Sequence, residues 1–280
     1  MKIRLSTDSS SDLPLSILQR YNIHVEPITV VCGEQSLRDG VDITSASLFE
    51  YVESGKGTCH TAAINVDQYQ RMFQKLLADA DAVLHISISS GLSSCYQNAC
   101  IAASEFENVY VVDSLNLSSG IGHLVMDAAE MIEKELPFEQ IVETINETAK
   151  KVESSFVLNT LKYMQRGGRC SSMEALGANL LQFRPCIEVL DGNMTVCKKY
   201  RGKYEHVMEK YVTDRLKDRT DIDYSRIFIT SSDCSEELIE LVRQTIVKYA
   251  PFETILVSWA SSTISCHCGP NTLGILFKRK

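Results

Sequence analysis

The run Ala82-Val-Leu-His-Ile-Ser-Ile-Ser-Ser-Gly-Leu-Ser93 sets the fold class. Ala82 to Ser89 reads as a strand, Ser90 to Ser93 as a loop, and the residues to about Ser104 as a helix. The same unit recurs on either side. Upstream, Lys2 to Thr7 has a strand pattern, and Asp12-Leu-Pro14 opens a helix, with Asp12 as its cap and Pro14 in its first turn. His24 to Cys32 reads as a second strand, and Thr44 or Ser45 caps a helix through Tyr51. Asn65-Val-Asp-Gln68 is a variant capping box for a helix reaching about Ala80. Downstream, Asn108 to Val112 is a short strand and Gly120 to Leu136 a helix with an apolar stripe; Pro137 separates it from a helix ending near Val152. Strands that alternate with helices imply βαβ units. A mainly parallel sheet with helices on both faces is therefore expected, a three-layer α/β/α arrangement.

Beyond Lys150 the pattern changes. Ser155 to Asn159 is a strand candidate, and Ile187 to Leu190 and Met194 to Lys199 flank an Asp-Gly-Asn turn, a hairpin signal. Helices are expected over Val207 to Leu216 and Ser235 to Tyr249. Strands are expected over Arg226 to Thr230, Thr254 to Trp259 and Thr272 to Lys278. A hairpin among αβ units predicts a mixed sheet. The expectation is two α/β domains, residues 1–150 and 151–280.

The chain has 280 residues, room for two domains or one large α/β domain, and with 44% of them hydrophobic and 23% charged it has enough apolar material for a real core. A net charge of -8 argues against nucleic acid as the main partner. No apolar run approaches the ~20 residues that would cross a bilayer, so no integral membrane segment is expected. The sequence opens on a strand pattern rather than a signal peptide, which points to the cytoplasm. In that compartment the ten cysteines are expected to be free, mostly buried thiols. Cys266 and Cys268 flank His267, but Cys-x-Cys with no second pair of ligands is a poor zinc site, and neither metal nor cofactor is expected.

The polar candidates fall in four places. His267 lies in the run Ser265-Cys-His-Cys-Gly-Pro-Asn-Thr-Leu-Gly274, read as a Gly/Pro-bounded loop. Thr61 precedes a capped helix. Ser93 lies in a hydroxyl-rich loop at the start of a helix, where free N–H groups and the helix dipole favour an anion. Arg169 closes the Arg166-Gly-Gly-Arg169 loop, and guanidinium suits carboxylate or phosphate. Ligands in open α/β sheets bind beyond the carboxyl ends of strands. Asp8-Ser9, Ser89 to Ser94 and Asp113-Ser114 are all expected there. Asp39-Gly-Val-Asp42 reads as a turn whose carboxylates orient neighbours or only shape it. Lys198-Lys-Tyr-Arg201-Gly-Lys203 is a basic run suited to an acidic partner or a phosphorylated ligand. Two chemistries fit these residues. One is an anion clamp. The other is a serine hydrolase using Ser93, Asp113 and His267, since Gly91-Leu-Ser93-Ser-Cys95 approximates a nucleophile elbow with Cys95 in place of the second glycine.

Several runs resemble the DegV family. Thr7-Asp-Ser-Ser-Ser-Asp-Leu13, Asp39-Gly-Val-Asp-Ile43, Ile86-Ser-Ile-Ser-Ser-Gly-Leu-Ser93 with Tyr96-Gln97, and Val112-Asp-Ser114 are similar to its N-terminal motifs. Leu161-Lys-Tyr-Met-Gln-Arg-Gly-Gly-Arg169, Arg184-Pro185, Arg201-Gly202 and His267-Cys-Gly-Pro-Asn-Thr-Leu-Gly274 are similar to its C-terminal ones. The resemblance implies two α/β domains with a long-chain fatty acid in a tunnel between them. It implies a carrier without chemistry of its own. Such a carrier presents the carboxylate to a separate, dihydroxyacetone-kinase-like fatty acid kinase and then takes the acyl phosphate toward phospholipid synthesis. By resemblance, Thr61 and Ser93 are hydroxyls on the carboxylate, and Arg169 and His267 its charged partners. Gly91, Asp8 and Ser114 are supporting residues, and Arg201 serves presentation to the kinase. The chain departs from the family pattern at Thr61-Ala-Ala-Ile64, where Thr-Ser-Gln-Pro is usual, at Cys95, where threonine is common, and at Arg184, where lysine is frequent.

Overall fold

The computed structural model describes residues 1–170 and 183–280. β1 (Ile3–Asp8) leads through a 3₁₀ turn at Ser9–Ser11 to α1 (Leu15–Arg20). Asp12 does not cap α1, contrary to expectation. It takes a left-handed conformation (φ 51°), and its carboxylate accepts instead from Ser118 Oγ and the Ser261 N–H. The expected strand His24 to Cys32 is two strands, β2 (His24–Glu26) and β3 (Thr29–Cys32), in different sheets. Pro27 lies between them and has no N–H to offer a ladder.

β3 pairs with β4 (Gln35–Arg38) and β5 (Cys59–Ala62) in a small antiparallel sheet absent from the sequence reading. β4 is mostly exposed, so it lacks the apolar alternation that marks a strand. α2 (Ser45–Glu53) begins at a capping box on Thr44, and α3 (Val66–Leu77) at one formed by Asn65 and Gln68. β6 (Ala82–Ser87), α4 (Cys95–Ala103), β7 (Val109–Asp113), α5 (Ser119–Glu133) and α6 (Phe138–Ala149) follow. The sheet order is β2-β1-β6-β7, parallel throughout. α3 and α4 pack together beside β6 and β7, and α5 and α6 form the second pair.

The remaining strands form a six-stranded mixed sheet. β8 (Val152–Val157), the hairpin β9 (Arg184–Leu190) and β10 (Asn193–Tyr200), β11 (Ile222–Ser232), β12 (Thr254–Trp259) and β13 (Thr272–Arg279) run in the order β10-β9-β8-β13-β11-β12. Only β11 and β12 are parallel. The hairpin turns at Asp191 and Gly192, both with positive φ (48° and 79°), as its Asp-Gly sequence favours. α8 (Tyr204–Leu216) and α9 (Glu236–Tyr249) pack together against this sheet. α5 touches β1 and β6 of the parallel sheet and β8 and β13 of the mixed one. That explains why its first two turns are buried on every side. His123 of α5 is fixed there by a 2.9 Å bond to the Leu276 carbonyl.

Three further expectations need correction. His267 is not in a loop: it lies in the last turn of α10 (Ser262–Cys268). Ser261 caps that helix, and the Asp39 carboxylate takes the N–H groups of Ser262 and Thr263 at 2.9 and 3.2 Å. Arg166 and Gly167 likewise end a helix, α7 (Lys162–Gly167), with Gly168 left-handed beyond it (φ 64°). The cysteines are not all free, because Cys32 and Cys59, directly opposed in β3 and β5, form a disulfide. Of the others, Cys266 and Cys268 are buried packing residues and Cys197 is exposed.

Candidate functional site

A cavity of about 690 Å³, its mouth included, lies where the β6–α4 loop, β5, α10 and the β10 strand converge. Thr61, Ser93, Arg169 and His267 all line it, residues up to 206 positions apart in the chain, and Thr61 and His267 meet directly. The walls between are apolar: Ile28, Ile88, Leu92, Leu117, Met194 and Ile264. A narrower apolar space of about 330 Å³ shares Leu117, Ile264 and Cys268 with it and continues past Phe156, Ala260 and Leu276. A long apolar ligand with one anionic end fits this division.

The polar end is wired tightly. Thr61 Oγ1 and His267 Nε2 are 2.9 Å apart. Thr61 is held there by the pairing of β5 with β3, and His267 by the Asp39 and Ser261 caps on α10. His267 Nδ1 is buried and has no partner; Gly167 abuts it, with no room for a Cβ. Burial, with a smaller contribution from the Arg169 guanidinium, lowers the His267 pKa to about 4. The imidazole is thus neutral at physiological pH in the ligand-free protein. Arg169 supplies the positive charge. It is exposed, and its Nη1 donates to the Gly167 carbonyl at 2.7 Å.

Ser93 precedes α4 and does not cap it in the usual way. Its Oγ accepts from the Cys95 N–H at 3.2 Å and donates to the Cys95 sulfur at the same distance. Sulfur is a weak acceptor, so this hydroxyl is readily redirected to a better one. Thr263, missed by the sequence reading, also lines the cavity, and its buried hydroxyl has no partner. The run Ser261-Ser-Thr263, a hydroxyl-rich helix start, was the available signal.

The supporting residues lie outside the cavity. Asp8 is fully buried beneath the loop and accepts from Ser10, Ser87 and, at 2.8 Å, the Ile88 N–H. Burial raises its pKa. Ser114 is buried and bonds both backbone groups of Asn116, shaping the turn before Leu117. Gly91 packs under the hairpin: a Cβ there would lie 2.7 Å from the Gly192 carbonyl and from Asn193 Oδ1. Arg201 is exposed just after β10, away from the cavity. Lys198 of the same basic run pairs with Asp214 at 2.7 Å.

The hydrolase arrangement is not assembled. Asp113 accepts from the Ser90 and Leu115 N–H groups. Among the described residues no carboxylate reaches His267 Nδ1, the position a triad's acid occupies. Among the described residues no group of three His, Cys, Asp or Glu side chains is placed to hold a metal ion, and no helix is long and apolar enough to cross a membrane.

Comparison with known proteins follows the same lines. A family model described as an uncharacterised protein of the DegV family matches residues 2–280. A DegV domain-containing protein of Caldanaerobacter subterraneus subsp. tengcongensis is 30% identical over 283 residues, covering 100% of this chain and 99% of that one. Among solved structures, a DegV family protein of Thermus thermophilus described by its fatty acid binding superposes with a TM-score of 0.90 at 28% identity, over 100% of both chains. DegV of Bacillus subtilis, described as a fatty acid binding protein, superposes at 0.84 and 25% identity, again over 100% of both.

Proposed function

Because the chain belongs to the DegV family, we propose that it binds a long-chain fatty acid and acts as a carrier rather than an enzyme. The observation that carries this reading is the cavity lined by Thr61, Ser93, Arg169 and His267, with an apolar space beside it that shares Leu117, Ile264 and Cys268. A buried carboxylate is costly unless hydrogen-bonded and charge-balanced. Here Ser93, Thr61 and the partnerless hydroxyl of Thr263 are available donors, and Arg169 balances the charge. The neutral His267 takes part through Nε2. A bound carboxylate nearby raises its pKa and favours its protonated form. The tail needs only apolar walls: at about 0.8 kcal/mol per buried methylene, a chain of about sixteen carbons has on the order of 12 kcal/mol available before binding costs.

In the same proposal the carrier works in the cytoplasm. It presents the carboxylate to an ATP-using fatty acid kinase and then holds the acyl phosphate on its way to phospholipid synthesis. Arg169 at the cavity and the exposed Arg201 beyond it suit a partner that brings phosphate to the carboxylate. The test is calorimetric titration of lipid-stripped protein with oleate, before and after Ser93→Ala and Thr61→Ala. Saturable binding weakened in both variants supports the reading; binding indifferent to both removes the clamp.

A further inference from the structure

A third pocket, of about 400 Å³ with its mouth, lies on the far side of His267 and Arg169 from the cavity. It is lined by Cys59, Thr58, His60, Arg166 and Cys266 as well as those two residues. Cys59 is half-buried and faces this pocket, whereas its disulfide partner Cys32 is 3% exposed and does not line it. Of the two half-cystines, only Cys59 lines the pocket open to a small molecule. Two guanidiniums, Arg166 and Arg169, stand at the same pocket and favour an anionic visitor. From this placement we propose that Cys59 is a site of reversible S-thiolation by an anionic low-molecular-weight thiol.

The exchange is balanced. The thiolate of the small molecule forms a bond to Cys59 Sγ, the Cys32–Cys59 bond breaks, and Cys32 leaves as a thiolate and takes a proton from water. No net oxidant is needed. Attack of Cys32 on the mixed disulfide expels the small thiol and restores the bond. Cys266 stands near, its thiol donating to the Cys59 carbonyl at 3.2 Å, but burial pushes it up to about 11, so it does not compete as a nucleophile. An adduct on Cys59 lies against His267 and Arg169, and Cys59 shares β5 with Thr61. Fatty acid binding is thereby weakened, a consequence that rests on the proposed function; the modification itself does not. A disulfide in a reducing compartment is usually a transient or sensing one, which suits this role.

The test uses the full chain with the exposed Cys197 removed as Cys197→Ser and purified without reductant. The protein is treated with reduced glutathione, quenched with acid, alkylated and mapped by mass spectrometry. Glutathione on Cys59 with Cys32 alkylated is expected. Arg166→Ala, which leaves the fatty acid cavity untouched, is expected to slow the adduct about tenfold by removing attraction for the thiolate. Oleate affinity is expected to fall about tenfold or more in the adduct, from loss of a charge-assisted bond. Glutathione on Cys32, on neither cysteine, or at an unchanged rate in Arg166→Ala overturns the site. An adduct on Cys59 with unchanged oleate affinity overturns the coupling. Failure to bind oleate in any state counts against the proposed function alone, since the adduct map is read independently.

Discussion

Substituting Gly167 by alanine tests whether the His267 ring has to stand where it does. Gly167 closes α7 with no positive φ, so alanine suits its backbone and improves helix propensity by about 1 kcal/mol. The obstacle is the imidazole: the new Cβ would lie 2.3 Å from His267 Nδ1 and 3.3 Å from Cγ and Cε1. An ordinary contact needs about 3.5 Å, so the ring must retreat by roughly 1 Å. Because α10 is pinned at its other end by Asp39 and Ser261, the ring has to turn rather than slide, and its 2.9 Å contact with Thr61 opens. Overpacking costs about 1–3 kcal/mol, offset in part by the helix gain, so the melting temperature should change little. Binding should change more. Loss of one hydrogen bond to a carboxylate, about 1.5–3 kcal/mol, is about a 10- to 150-fold weaker affinity. Calorimetry with oleate, beside a thermal melt, measures both. A folded Gly167→Ala protein that binds oleate within about twofold of the parent would refute the placement of His267 in the carboxylate clamp.

Ser93→Ala and Thr61→Ala should each lower oleate affinity by about 10- to 150-fold, read by the same calorimetry. A fluorophosphonate probe should leave Ser93 unlabelled, since Asp113 is engaged elsewhere and no acid among the described residues stands behind His267; mass spectrometry of the treated protein checks this. Asp39→Asn should destabilise the protein by about 1.5–3 kcal/mol in urea unfolding, because the carboxylate receives two N–H groups of α10 and the Ser9 hydroxyl. Stability should fall as pH drops from about 6.5 toward 5. Burial lowers His85 and His123 to about 3 and His267 to about 4, so in that window the unfolded chain binds protons there that the folded chain refuses. Asp12, raised by burial to about 7, and Asp8, raised likewise, act in the opposite sense, because the folded chain keeps protons that the unfolded chain has lost. Toward pH 5 the three histidines outweigh the two carboxylates, so the net effect follows the histidines. Urea midpoints at pH 6.5 and 5 measure it.

What could be read in the sequence was what neighbours in sequence decide. The Thr44 cap, the Asn65–Gln68 capping box and the Asp191-Gly192 turn are local arrangements, and each is present. What escaped depends on distant partners. α10 carries a local cap at Ser261, but its first N–H groups also rest on Asp39, far away in the chain, and the Asp12 carboxylate faces Ser118 and Ser261 rather than α1. β4 and β5 are too short and too exposed for periodicity to mark them, and without that sheet the opposition of Cys32 and Cys59 could not be foreseen. Thr61, Ser93, Arg169 and His267 were singled out by residue type and by motif, and they line one cavity. Thr263 carries no motif of its own. Its place at the cavity appears only once α10 and the β6–α4 loop are brought to line the same space.

The most direct measurement is native mass spectrometry of the full chain, purified gently and then offered palmitate or oleate. One fatty acid per chain, retained on desalting and lost on denaturation, is the predicted result. Protein that is uniformly ligand-free and stays so with either fatty acid in excess would contradict fatty acid binding outright.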